Sequence, residues 1–202
     1  MDSPAVPDDP RCEPAFRHHR RSRRWRGHDY GQPGSVFLTL CTFERACLFG
    51  EIVDGRMHLN GAGRIAERCW LEIPRHFPQA SLDRFVIMPN HVHGIIRIQG
   101  QSAATPSPTP VRMVGAKNLS PLPDPHAPFA SPSRTIGSIV RGFKIGVTKW
   151  IRQHTDIHCV WQRNYFDHVV RDDASLDRIR GYIAGNPAHW EDDPENPQAS
   201  PP

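Results

Sequence analysis

The tightest constraint on this chain lies between Leu82 and Ile98. Two apolar, β-branched runs, Leu82 to Met88 and His91 to Ile98, are separated there only by Pro89 and Asn90. So short a connection leaves no room for a crossover, and Pro-Asn favours a turn, so the runs read as adjacent antiparallel strands. Further strands and helices flank them. Ser35 to Phe43 (SVFLTLCTF), after Pro33 and Gly34, has the β-branched and aromatic make-up of a strand. Leu48 to Val53 and Arg56 to Leu59 flank Asp54-Gly55, a pair suited to a two-residue hairpin turn. Between Gly63 and Phe77 the residues Ile65, Ala66, Cys69, Trp70 and Ile73 recur at helical spacing until Pro74 disturbs it. A longer helix is expected from Thr135 to Arg152, with Ile136, Ile139, Val140, Phe143, Val147, Trp150 and Ile151 on one face. Val160 to Val170 reads as extended, and a last helix runs from Ser175 to Asn186, led by Asp172 and Asp173 and ended by Pro187. The expected fold is α+β, a mainly antiparallel sheet carrying the histidines centrally, with helices on one face.

A chain of 202 residues suits one domain. Its bounds are drawn at 31–187, interrupted by a Pro-rich flexible insertion, 101–133, that holds eight prolines and little hydrophobic period. Before it, residues 1–30 form a basic arm with six arginines between Arg17 and Arg26; after it, 188–202 reads as a disordered acidic and Pro-rich tail. The net charge of +4 and pI near 9.0 fit a polyanionic partner, though the excess is modest. Five cysteines without a C-x-x-C pair argue against a zinc ribbon and a disulfide framework, which suits a reducing cytoplasm. No apolar run is long enough for a membrane helix, and the first residues do not resemble a secretion signal.

His91-Val92-His93 places two imidazoles on the same face of a strand, because side chains alternate with period two, and sends Val92 to the other face with Ile96 and Ile98. Such a triplet is short enough to arise by chance. On the last helix Arg178, Tyr182 and Asn186, spaced by four, share a stripe beside Leu176, Ile179 and Ile183, which must face the core. For a nucleic acid, Arg141, Lys144 and Arg152 on one helix face, together with Arg163, supply charge, and Trp161 could stack on an unpaired base.

Taken together, MPNHVHGII, WQRNYFDHVVRD and RIRGYIAGNP, with GSVFLTLCTFERACLFGEI and IGSIVRGFK, resemble the single-tyrosine HUH transposases in order and spacing. The nearest branch is the one that includes the REP-associated tyrosine transposases. The resemblance runs from Tyr30 to Asn196 outside the insertion. It implies a ferredoxin-like nuclease domain with metal-binding histidines at His91 and His93, a nucleophilic tyrosine at Tyr182 and a third polar ligand at Asn186. Tyr165 and Tyr30 are rejected as nucleophiles, and His168 is left structural. A divalent metal, Mg²⁺ or Mn²⁺, is implied, as is cleavage and strand transfer of single-stranded or hairpin DNA through a 5′-phosphotyrosine, with a homodimer open. Two alternatives stand beside this: a domesticated hairpin-DNA-binding protein without useful catalysis, and a replication nickase, which should bring functions too large for so short a chain.

Overall fold

The central hairpin forms as the sequence requires and organises everything else. In the computed structural model, which describes residues 33–99 and 135–199, β4 (Ala80–Ile87) and β5 (His91–Ile98) pair antiparallel across Pro89-Asn90. Strand β1 (Gly34–Cys41) pairs antiparallel with β5 on one side and with β6 (Phe166–Val170) on the other. The sheet order is therefore β4-β5-β1-β6. A separate hairpin, β2 (Gly50–Val53) with β3 (Arg56–Leu59), turns at Asp54-Gly55, both with positive φ (49° and 68°), the backbone that this pair of residues tolerates best.

Helix α1 (Gly61–Leu71) follows that hairpin, capped by Asn60, whose side chain accepts from the Gly63 amide. The helix expected to run until Pro74 disturbs it ends earlier, at a break at Glu72, and a short α2 (Ile73–His76) follows with Pro74 in its first turn. Helix α3 (Ile136–His154), capped by Thr135, follows β5, and α4 (Asp173–Gly185), capped by Asp172, follows β6. With the small hairpin set aside, the chain runs β1-α1-β4-β5-α3-β6, the ferredoxin-like βαββαβ pattern.

Strand alternation divides the buried residues by sheet face. Val36, Leu38 and Leu40 of β1 and Val92, Ile96 and Ile98 of β5 join α1 and α3 in the main core with Trp70, Ile139, Phe143 and Val147. Phe37 and Ile95 point the other way and meet Leu176 and Ile183 of α4. Helices thus lie on both faces, not one: α1 and α3 fill the larger core, while α4 crosses the face that carries the histidines. At Gly94 the main-core face needs a missing side chain, since a Cβ there would lie 2.2 Å from Trp70 Cζ2.

The tail also departs from expectation. Residues 186–192 continue α4 as a 3-10 segment, kinked at His189, and Asp193 and Asn196 beyond it are buried. Composition marked this segment as disordered because it is polar and Pro-rich. What holds it is polar: the Arg45 guanidinium pairs with Glu195 and donates to the Pro194 carbonyl, Asn90 donates to the Glu195 carbonyl, and Asn196 donates to the Trp190 carbonyl. The arginine-rich arm and the Pro-rich insertion lie outside the described residues.

Candidate active site

His91 and His93 project from β5 onto the α4 face, with ring centroids 4.4 Å apart, both almost completely buried. Each is oriented through Nδ1. The Asn90 side-chain amide donates to the carbonyls of Arg45 (3.0 Å) and Glu195 (2.6 Å), so its Oδ1 is left to accept from His91 Nδ1–H at 2.9 Å. That fixes the tautomer and leaves a bare lone pair at His91 Nε2. His93 Nδ1 lies 2.9 Å from Thr39 Oγ1, on the paired position of β1, and its Nε2 points to the Tyr182 hydroxyl at 3.2 Å. Burial is the main reason both imidazoles lose protons easily: it drives His91 down to about 4 and His93, further lowered by His91, to about 3. Both are therefore neutral at physiological pH, with lone pairs suited to donation.

Asp193, which the sequence reading missed, completes the group. One atom each from His91, His93 and Asp193 lie within 4.8 Å of one another, all three residues buried. The Asp193 carboxylate is fixed by Asn186 Nδ2, donating to Oδ2 at 2.9 Å, and by the Glu195 amide, donating to Oδ1 at 2.7 Å. Asn186, buried at the end of α4, leaves its Oδ1 without a hydrogen-bond partner among the described residues, as does His91 Nε2. Asp193 Oδ2 stands 3.9 Å from that Nε2. Lone pairs of a neutral imidazole, a carboxylate and an amide oxygen converging in a buried space repel one another unless a cation lies among them. The donor set therefore fits a divalent metal on its own chemistry: two imidazoles, one carboxylate and an amide oxygen in reach. The only sequence signal for Asp193 was an acidic residue soon after a helix, and nothing local distinguishes it from its neighbours Asp192 and Glu191.

Tyr182 is 47% exposed, with its hydroxyl against His93 and its ring 5.1 Å from that imidazole and 6.2 Å, edge-on, from Phe37. Ile183 beside it is fully buried, so the helix face anchors in the core while the phenol stays open. Partial burial, then the negative charge of Asp193, hold the phenol up at about 12, with Asn186 opposing. Tyr165 is partly buried against the main core on the other face of the sheet.

The chain matches no family model. It is 45% identical over 177 residues to an uncharacterised protein of Haemophilus influenzae, a match covering 87% of this chain and 92% of that one. The two chains belong to one family. Among solved structures, it is similar to a REP-associated tyrosine transposase bound to a REP hairpin, with TM-score 0.52 and 17% identity over 86% of this chain and 80% of that one. At that identity the likeness is one of fold, and it agrees with the βαββαβ order found here.

This family member does not gather all the residues expected to meet DNA. Helix α3 lies on the sheet face opposite the histidines, so Arg141, Lys144 and Arg152 are separated from Tyr182 by the sheet. Lys144 is half-buried and donates to the carbonyls of Gln162 (2.8 Å) and Asn164 (3.1 Å); burial pushes its ammonium down to about 8. Arg152 donates to the His158 carbonyl. The Trp161 ring packs on Phe49 and Phe143 and its indole N–H donates to the Lys144 carbonyl, which makes it part of the core's edge. Arg141 and Arg163 are exposed. No helix among the described residues is long and apolar enough to cross a membrane.

Proposed function

We propose that this protein is a metal-dependent DNA nickase and strand-transferase of the transposase type, with Tyr182 as nucleophile acting on single-stranded DNA beside a hairpin. The observation that carries the reading is that half-exposed Tyr182 sets its hydroxyl 3.2 Å from one member of a buried His-His-Asp group. Catalytic tyrosines need their reacting oxygen accessible and a source of positive charge close by, and this one has the first and donors suited to hold the second. The solved relative in fold, with its bound hairpin, supports a DNA substrate of that kind.

His91, His93 and Asp193 would hold Mg²⁺ or Mn²⁺, with Asn186 Oδ1 in reach. When bound, such an ion lowers the cost of forming a phenolate and offsets charge on a phosphate oxygen. Tyr182 Oη then attacks phosphorus and its proton passes to solvent. The P–O3′ bond breaks, the leaving oxygen takes a proton, and the 5′ phosphate remains on the tyrosine. Attack by another 3′-hydroxyl reverses these steps and frees Tyr182, so rejoining needs no nucleotide cofactor. A phenol held at about 12 leaves very little phenolate at neutral pH, which accounts for the need for a cation.

The test is incubation of wild type and Tyr182→Phe with labelled single-stranded DNA from the flanks of the gene, with Mn²⁺ or chelator. A denaturant-resistant adduct requiring both Mn²⁺ and Tyr182 is expected. Hairpin binding with no adduct across the flanking sequences would instead favour a binding protein that has lost its chemistry.

A further inference from the structure

Next to Tyr182, on the side away from His91 and Asp193, a shallow cleft of about 350 Å³, open to solvent over most of its extent, lies between the edge strand β6 and α4. Its floor is Phe37. Register puts Phe166 opposite Thr39 and His168 opposite Phe37 on β1, so both point to the α4 face. Phe166 is 48% exposed, with its ring edge-on to Phe37 at 6.3 Å between centroids. Phe166 and Tyr182 thus leave two large aromatic surfaces uncovered around one opening. Arg178, one turn before Tyr182 on the same stripe, lines the opening with Ser175. Arg178 and His168 make no side-chain hydrogen bond or ion pair among the described residues.

We propose that this cleft binds one nucleotide of single-stranded DNA adjacent to the phosphate that Tyr182 attacks, the base lying on Phe166 over Phe37 and the guanidinium of Arg178 on the neighbouring phosphate. The proposal rests on the nuclease reading and adds to it the place where the strand is gripped. Uncovered aromatic faces beside an unpaired cation are the combination that holds unstacked bases and their backbone. Geometry supports it: Arg178 stands about one helical turn, ~5.4 Å, from the nucleophile. Phe166 lies two strand spacings, about 10 Å, from His93 across the sheet. Only an unpaired base can reach such a platform, so the cleft selects single strands over duplex.

The experiment uses the full chain with short single-stranded oligodeoxynucleotides of random sequence carrying 5-iododeoxyuridine. Photo-crosslinks, mapped by mass spectrometry, should fall on Phe166 and vanish in Phe166→Leu with the melting temperature unchanged. Arg178→Gln should weaken binding roughly tenfold and reduce the salt dependence by about one phosphate contact, whereas Lys149→Gln, on α3 across the sheet, should do neither. Crosslinks on α3, or full affinity and salt slope in Arg178→Gln, would overturn the cleft assignment. The two readings fail separately. An adduct at Tyr182 without a crosslink at Phe166 removes the cleft and keeps the nuclease, and a crosslink at Phe166 without an adduct does the reverse.

Discussion

Asn90 shows how much one side chain can settle. Its amide hydrogens engage two carbonyls, one of them at Glu195, and its oxygen is thereby committed to His91 Nδ1–H. It thus orients His91 and tethers the segment that supplies Asp193 to the same group. Losing an outer partner of this kind commonly costs 10–100-fold in metal affinity. Asn90→Ala should therefore weaken Mn²⁺ binding by roughly that factor in a calorimetric titration, although Asn90 would touch no metal. Asp193→Asn keeps the shape and removes the charge. It should weaken Mn²⁺ binding at least tenfold while leaving salt-sensitive DNA binding in place, and unchanged Mn²⁺ affinity would remove Asp193 from the ligand set. The sequence pointed to Asn90 only as a turn residue.

At the scale of elements, the position of α4 decides whether Tyr182 meets the histidines. Its apolar anchor is small, Leu176 and Ile183 against Phe37 and Ile95. A polar clamp supplements it. Arg180 donates to both oxygens of Asp83 on β4, at 2.8 and 2.7 Å, and Arg97 of β5 pairs with the same carboxylate. The Arg180 hydrogen bonds are the main reason the Asp83 carboxyl is held down at about 2. Asp83→Asn should lower the rate of adduct formation with Mn²⁺ affinity unchanged, since His91, His93 and Asp193 stay in place while the helix that carries Tyr182 loosens. Equal rates in single-turnover assays would show that the apolar anchor suffices. On the other face, Gly94→Ala forces a Cβ against Trp70. Overpacking of that kind should cost about 1–3 kcal/mol in denaturant unfolding.

Over the whole molecule, burying two neutral imidazoles ties stability to pH. In the unfolded chain each protonates near 6.5, whereas in the folded, metal-free protein His91 waits until about 4 and His93 until about 3. Between those values the unfolded chain binds protons that the folded one does not. Stability is therefore highest above 6.5 and falls as pH drops towards 4, with a slope approaching about 1.4 kcal/mol per pH unit for each histidine. The melting temperature of chelator-treated protein should fall across this window, and Mn²⁺ should move the fall to lower pH because protons must then displace the ion. A flat profile without metal would mean that the histidines are not buried as neutral groups. Asp83, depressed by Arg180, adds a loss in the same direction, at lower pH, as its carboxyl protonates towards about 2.

Sequence alone determined the elements and which faces carry His91, His93 and Tyr182. Period-two alternation put His91 and His93 on one face and Val92 on the other, and period 3.6 put Tyr182 beside a buried stripe; both are local properties of backbone geometry. It also carried the order of elements from which the βαββαβ fold follows. It did not reveal the depth of the site, because Asp193 and Asn90 act through partners far along the chain, as does the pairing of Arg45 with Glu195 that keeps a polar tail ordered. Nor could it say that α3 and α4 lie on opposite faces of the sheet. A helix's charged stripe is written in its own residues, but which surface that stripe shares with an active site is decided only when the strands pair and assign each helix to a side.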